Sequence, residues 1–219
     1  MQRIPEPELM DAAEQARAYA EADFEEANNL FVDSFRACFG DGLTGRVLDL
    51  GCGPADIICR LAQHYPDLRF DAVDGAAAML DWAKHSLARH GVADRVSLLQ
   101  RHLPCDDLPA SRYEVITSNS LLHNMRNAND FWAMLAARAE DACRVLVMDL
   151  LRPESPAAAE ELVAQYAADA PPVLRQDFHN SLLAAYRPDE VEAQLARAGL
   201  EWLEVRVVSD RHWQVSGSA

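Results

Sequence analysis

Two glycines one residue apart, Gly51 and Gly53, follow the apolar run Val47–Leu50 and precede an amphipathic stretch that begins near Asp56. Glycines so placed let the backbone approach a ligand closely, because they carry no side chain and take up conformations that other residues avoid. A turn between strand and helix that holds nothing needs neither two spaced glycines nor the acid, Asp49, ahead of them. A dinucleotide fingerprint would place Gly or Ala three residues beyond the second glycine, where Asp56 stands. A pyrophosphate would also meet Asp49 and Asp56, so the loop suits a ligand with a cationic end. Asp74, twenty-five residues after Asp49, closes the next apolar run and is placed to accept two hydroxyl hydrogen bonds from a ribose. A solvated strand-end carboxylate is the alternative for Asp74.

These residues need elements to hold them. Residues 9–39 carry apolar side chains at helical spacing, from Leu9 and Ala12 through Tyr19 and Phe24 to Phe31 and Phe35, and Gly40 and Gly42 end the pattern. From Arg46 onward short apolar runs alternate with amphipathic stretches: RVLDL, RFDAVD, RVSLLQ, YEVITSN and CRVLVMDLL, with helices between, one of them near residues 129–139. Strands of continuous apolar character alternating with helices predict an α/β domain whose mainly parallel sheet is covered on both faces. After Pro153 the Ala-rich SPAAAEELVAQYAADAPP reads as a helical insertion over the sheet edge, spanning about 153–180. The rhythm resumes with PDEVEAQLARAG, capped by Gly199, and ends in two strands, LEWLEVRVVS and RHWQVSG, that imply an antiparallel hairpin. The division expected is an N-terminal helical segment, 1–44, and a core, 45–219.

Asp49, Gly51, Gly53 and Asp74, in this order of elements over residues 45–150, resemble the class I S-adenosylmethionine-dependent methyltransferase superfamily. The resemblance implies a Rossmann-like, three-layer αβα fold with a seven-stranded, mostly parallel sheet and an antiparallel terminal hairpin. It implies S-adenosylmethionine as cofactor and S-adenosylhomocysteine as product. The loop Gly51, Cys52, Gly53 would hold the methionine portion, Asp74 with Gly75 the ribose, and Met79 would lie against the adenine, with helix core packing the alternative for Met79. Ala55 stands where many members carry a third glycine. At the third strand end, His102 and the Leu103 backbone N–H are expected beside the adenine, with Asp106 as the other candidate and an ordinary loop the alternative. In this superfamily a helix placed like the N-terminal one often closes over the cofactor, which makes Tyr19, Phe24 and Asn28 lid candidates against plain core packing.

The segment SNSLLHN resembles the SNxxLHH-like segment of small-molecule members, with Ser118, Asn119 and Ser120 toward the cofactor's methyl end. It lacks the Pro-Pro-aromatic signature that grips a flipped base in nucleic-acid amino-methyltransferases. His123, expected at the lip where the strands end, is the candidate general base; hydrogen bonding to substrate and a structural role are the alternatives. Phe24, Asn124, Arg152, Phe178 and Tyr186 complete the expected acceptor pocket, with His179 and Asn180 nearby. No metal site is expected: Asp149 ends strand five, but strand four ends in Ser118 and Asn119 rather than a carboxylate. The pairs His85 with His90, Asp106 with Asp107, and Arg211 with His212 read as solvated faces or loop contacts.

Composition narrows the partners. With 35 acidic against 20 basic residues the formal net charge is -15, which disfavours nucleic acid and anionic membranes. No apolar run reaches the roughly 18 residues that span a bilayer, and the polar, acidic N-terminus does not read as a signal peptide, so a cytoplasmic protein is expected. Five cysteines without a CxxC pair point to reduced, mostly buried thiols. The expected function is methylation of an O, N or S nucleophile on a small molecule by a monomer or homodimer. A non-catalytic S-adenosylmethionine-binding sensor or partner protein is the second reading, and protein methylation a third.

Overall fold

The computed structural model describes residues 1–6 and 13–219. Leu9 and Ala12, which open the expected N-terminal helix, lie outside the described residues. Within them the helical stretch is two helices, α1 (Ala13–Glu21) and α2 (Glu25–Phe39), rather than one. The break falls at Asp23, whose carboxylate accepts a hydrogen bond from the Glu25 N–H at 2.9 Å. A short acidic side chain thus offers the backbone a partner that competes with the helix. Tyr19 and Phe24 meet across this break with ring centroids 4.7 Å apart.

The core alternates β1 (Gly45–Leu50), α3 (Asp56–His64), β2 (Leu68–Asp74), α4 (Ala77–His90), β3 (Val96–Gln100), β4 (Tyr113–Asn119), α5 (Ala128–Arg138) and β5 (Ala139–Leu150). Helices α6 (Pro156–Tyr166), α7 (Pro172–Ala184) and α8 (Pro188–Ala198) follow, then β6 (Glu204–Val207) and β7 (His212–Ser218). The seven strands lie in the order β3-β2-β1-β4-β5-β7-β6. Strands β1 to β5 pair in parallel, and β7 runs antiparallel to both β5 and β6. This is the mostly parallel sheet with a terminal hairpin that the alternation predicts.

Strand pleating sends successive side chains to opposite faces, so each strand feeds two cores. Leu48, Leu50, Ile116 and Val145 pack with Phe131 and Trp132 of α5 on one face. Val47, Phe70, Val115 and Leu146 pack with Phe31 and Phe35 of α2 and with α3 on the other. Order reverses between β1 and β4, and there the carboxyl ends of the strands open a crevice, the usual ligand site of such sheets.

The insertion is two helices, not one. Ser155 caps α6 by accepting from the Ala158 N–H at 3.2 Å, and α6 ends at Tyr166, five residues before Pro171. Helix α7 then begins at Pro172, where a first-turn proline costs no hydrogen bond, in a stretch whose polar sequence gave no clear helical stripe. Ala159 and Val163 of α6 and Leu182 of α7 bury against Leu150, which anchors the pair at the end of β5. Of the five thiols, Cys52, Cys59 and Cys143 are buried, Cys105 is half-buried and Cys38 is exposed; none is disulfide-bonded. Among the described residues, no helix is long and apolar enough to cross a membrane.

Candidate active site

The loop after β1 is held by backbone bonds before any ligand arrives. The N–H groups of Gly51 and Cys52 donate to the Val73 carbonyl at 2.8 and 2.9 Å, tying the loop to the end of β2. Gly51 has φ +75°, and a Cβ there would lie 2.8 Å from the Leu121 side chain, so this position needs glycine on both counts. Ala55 takes φ +67° and is fully buried, so the place where many relatives have glycine keeps the glycine-favouring backbone and accommodates one methyl. Asp74 accepts from the Gly53 N–H at 2.9 Å and the Ala76 N–H at 2.8 Å. One carboxylate therefore organises both loops.

Gly51, Gly53, Asp74, Gly75 and Asn119 line one end of a cavity of about 790 Å³, closed above by Tyr19, Phe24 and Asn28. Met79, His102 and Leu103 line the same end; Met79 also packs against Ala16 and Ala76. Asp106 lies outside the cavity, its carboxylate 3.8 Å from Arg138. Asp49 and Cys52 line a small chamber that shares Gly51, Gly53 and Asn119 with the main cavity. Burial holds the Asp49 carboxyl up at about 7, although the Thr117 hydroxyl donates to it at 2.6 Å; nearby Asp74 raises it further. Ser118 is not turned toward this space. It is buried, and its hydroxyl donates to the Leu50 carbonyl at 2.8 Å, whereas Asn119 and Ser120 line the cavity.

The other end of the cavity is built around His123, in the short turn that follows β4. Its backbone N–H donates to one Asp149 oxygen at 2.9 Å, and its Nδ1 meets the other at 2.5 Å. Adjacent parallel strands β4 and β5 bring the two together at their carboxyl ends. Asp149 so placed holds the Nδ1–H tautomer, which leaves Nε2 as the basic nitrogen. Burial pushes the imidazole down, but the charge and hydrogen bond of Asp149, then Glu6, outweigh it and the net direction is up; Arg3 opposes them.

Asn124 and Phe178 also line this end, as expected, together with Ser181 and Asp177 of α7. Arg152 and Tyr186 do not. The Arg152 guanidinium is buried on the Ala185 carbonyl and the Glu190 carboxylate at 3.3 and 2.6 Å, and Tyr186 lies beneath the Arg3 guanidinium at 4.2 Å. His179 and Asn180 are likewise outside the lining, with Asn180 accepting from Gln176.

Arg211 and His212 correct a further expectation: both are buried and both line the cavity. Burial, then the Arg211 charge, hold the His212 imidazole down to about 4, so it stays neutral, with Nδ1 2.9 Å from the Ser209 hydroxyl. Arg211 lies 3.3 Å from the Tyr166 ring centre and reaches Glu26 and Asp210 at 3.0 Å each, joining α2, α6 and the β6–β7 connection over the cavity mouth. Sequence gave little sign of this, because a histidine beside an arginine in a polar turn reads as surface. Among the described residues, no group of His, Cys, Asp or Glu is arranged to hold a metal ion.

Residues 47–140 match the family model described as a methyltransferase domain. The ribosomal protein uL3 glutamine methyltransferase of Bordetella pertussis is 28% identical over 166 residues, covering 76% of this chain and 52% of that protein. The chain thus spans about half the length of that relative. A methyltransferase of Aquifex aeolicus described as SAM-dependent superposes with a TM-score of 0.68 at 18% identity, covering 94% of this chain and 98% of its own. An O-methyltransferase family 2 protein from Planctomyces limnophilus, solved in complex with apigenin, gives a TM-score of 0.67 at 19% identity, covering 96% of this chain and 62% of the other. Residues 47–140 thus resemble a methyltransferase domain, and the chain around them has the fold of the SAM-dependent methyltransferase solved from Aquifex aeolicus.

Proposed function

We propose that the chain binds S-adenosylmethionine at the Gly51–Asp74 end of its cavity and transfers the sulfonium methyl to a hydroxyl group of a small, largely apolar molecule at the His123 end. The observation that carries this reading is the continuity of the two ends: one cavity of about 790 Å³ reaches both Gly53 and His123. That volume falls in the range typical of small-ligand sites. Leu174, Pro171 and Phe178 supply apolar walls, with Asn124, Ser181 and His212 as polar groups among them. Helices α1 and α2, with the α6–α7 insertion, act as the lid over the rest of the core, 45–219.

In the reaction His123 Nε2 takes the hydroxyl proton as the oxygen forms its bond to the methyl carbon. The carbon–sulfur electron pair leaves with sulfur, giving S-adenosylhomocysteine. Alignment of oxygen, carbon and sulfur inside a dry cavity supplies much of the rate, and the base adds to it. A hydroxyl acceptor is favoured because it, unlike a neutral amine, gains from a positioned base. The superposed O-methyltransferase from Planctomyces limnophilus supports the same acceptor class. The likeness to a uL3 glutamine methyltransferase is the strongest support for a protein acceptor. Against it, the sequence carries no recognisable segment for docking a protein. A purely binding role leaves the His123–Asp149 pair at the cavity wall unexplained.

Calorimetric titration with S-adenosylmethionine and S-adenosylhomocysteine, with NAD as control, tests the donor site. Micromolar binding of the first two alone is expected, and folded protein that binds neither would sink the proposal. Asp74→Ala should weaken binding by about 1.5–3 kcal/mol, through lost charge-assisted hydrogen bonds and a loosened loop; unchanged affinity would remove the ribose assignment. Asp49 makes the binding proton-linked. Its carboxyl titrates near 7 in the free chain, and a cationic ligand end favours the ionised form. Affinity for S-adenosylmethionine should therefore rise with pH below about 7, by up to about tenfold per unit, and level off above it. Titrations from pH 5.5 to 8.5 in two buffers of different ionisation heat check this, and a flat profile contradicts it.

A further inference from the structure

Residues 1–6 lie as a strap against the acceptor end of the molecule, reaching α7 and the turn that carries His123. The Ile4 N–H donates to the Leu183 carbonyl at 3.0 Å. Arg3 donates from Nε to the Ala184 carbonyl at 2.5 Å and from Nη2 to the His123 carbonyl at 2.7 Å, while its guanidinium covers the Tyr186 ring. These contacts deliver Glu6 to His123: Glu6 Oε1 lies 3.5 Å from His123 Nε2, on the opposite side of the ring from Asp149. That oxygen is buried, and among the described residues it has no hydrogen-bond donor of its own. A buried carboxylate oxygen left without a donor is costly, and it sits where a proton on Nε2 would point.

We propose that Glu6 is a positioning residue for the base: once His123 has taken the acceptor's proton on Nε2, Glu6 receives that N–H, so the imidazolium is held between two carboxylates. Before transfer, the Asn124 amide donates to Nε2 at 3.2 Å, a partner that the arriving hydroxyl replaces. After transfer, the proton stays on Nε2, and its new hydrogen bond runs to Glu6 Oε1. The strap thereby favours the product side of the proton transfer. The proposal rests on the reading of His123 as a base, and deepens it by adding a group from a part of the chain with no motif.

Among the described residues, the charged groups around the pair are these. His123 faces Asp149 from β5, and Glu6 and Arg3 from the strap; Glu6 in turn faces Asp177 and Ser181 from α7. Burial raises the Glu6 carboxyl, and His123 and then Ser181 bring it down. An opposite charge at this distance moves a titration by about one pH unit or more.

The test is a titration of the histidine ring signals of the full-length chain by NMR, with the His123 signal assigned by its loss in His123→Gln. Glu6→Gln should lower the His123 midpoint by about one pH unit, and Glu6→Asp should restore most of it. His212, which Glu6 does not touch, serves as an internal control and should not move. Ile4→Pro removes the N–H that tethers the strap while leaving Glu6 in place, so it should move the His123 midpoint in the same direction by a smaller amount. A His123 midpoint at the wild-type value in folded Glu6→Gln or folded Ile4→Pro protein overturns the proposal. Calorimetry with S-adenosylhomocysteine on the same samples separates the two ideas. A midpoint shift in protein that binds no S-adenosylhomocysteine would support the Glu6–His123 pair and sink the methyl-transfer reading.

Discussion

His123→Ala should lower the single-turnover rate of methyl transfer by about 100-fold or more while leaving cofactor affinity as it is. The ring lines the acceptor end of the cavity, and the donor end is built from other residues, so the two effects separate. Asp149→Asn should be at least as damaging. Asn in place of Asp149 no longer fixes the Nδ1–H tautomer and presents no negative charge to the imidazolium. It also puts an amide NH2, which cannot accept, in place of one of the two oxygens that take the His123 and Leu150 backbone N–H groups. Rapid-quench kinetics on an acceptor found by screening phenols and alcohols would measure both variants. A His123→Ala protein that turns over at full rate would remove the base from the mechanism and leave alignment alone to carry it.

The second large effect is expected at Gly51. Gly51→Val places a β-branched residue at φ +75°, a backbone region such residues scarcely visit, and drives its Cβ to 2.8 Å from Leu121. Leu121 belongs to the turn that carries His123, so the strain spreads from the donor loop toward the acceptor end. Cofactor affinity should fall by more than about 100-fold, with a lowered melting temperature from a left-handed conformation that costs about 1–2 kcal/mol for an L-residue. Gly53→Ala is the useful contrast. Gly53 also has positive φ, +51°, but a Cβ there meets nothing within 4 Å. It should retain more of the fold and lose affinity only as far as the methyl intrudes on the ligand. Folded Gly51→Val protein with normal affinity for S-adenosylhomocysteine would refute the loop assignment.

The sheet was legible because each central strand is a short apolar run closed by a polar residue that the fold leaves at a carboxyl end: Asp49–Leu50, Asp74, Asn119, Asp149–Leu150. The donor loop was legible for a related reason, since the demand for positive φ is written directly in residue type. The acceptor end was not. His123 and Asp149 are 26 positions apart, and only the adjacency of β4 and β5 makes them a pair. Glu6, Asp177 and Ser181 converge from the strap and α7 with no spacing rule to join them. Arg152 was expected in the pocket because it follows β5, yet the chain turns there and spends the guanidinium on Glu190 and Ala185. The break between α1 and α2 was missed because apolar periodicity runs through it, and one carboxylate, Asp23, outbids the helix locally.

The fastening over the cavity mouth is made of side chains rather than of packed apolar surface. Arg211 is largely buried there, but Glu26 and Asp210 face water, and the attraction between such groups is weak and screened by dissolved ions. A closure of this kind governs residence time more than equilibrium. It slows the escape of a bound nucleoside without adding much to the free energy of holding it, and it yields as ionic strength rises. If departure of the spent nucleoside sets the pace of turnover, as lid opening does in many enzymes, salt becomes an accelerator of this molecule, working through a handful of charges that never touch the methyl group.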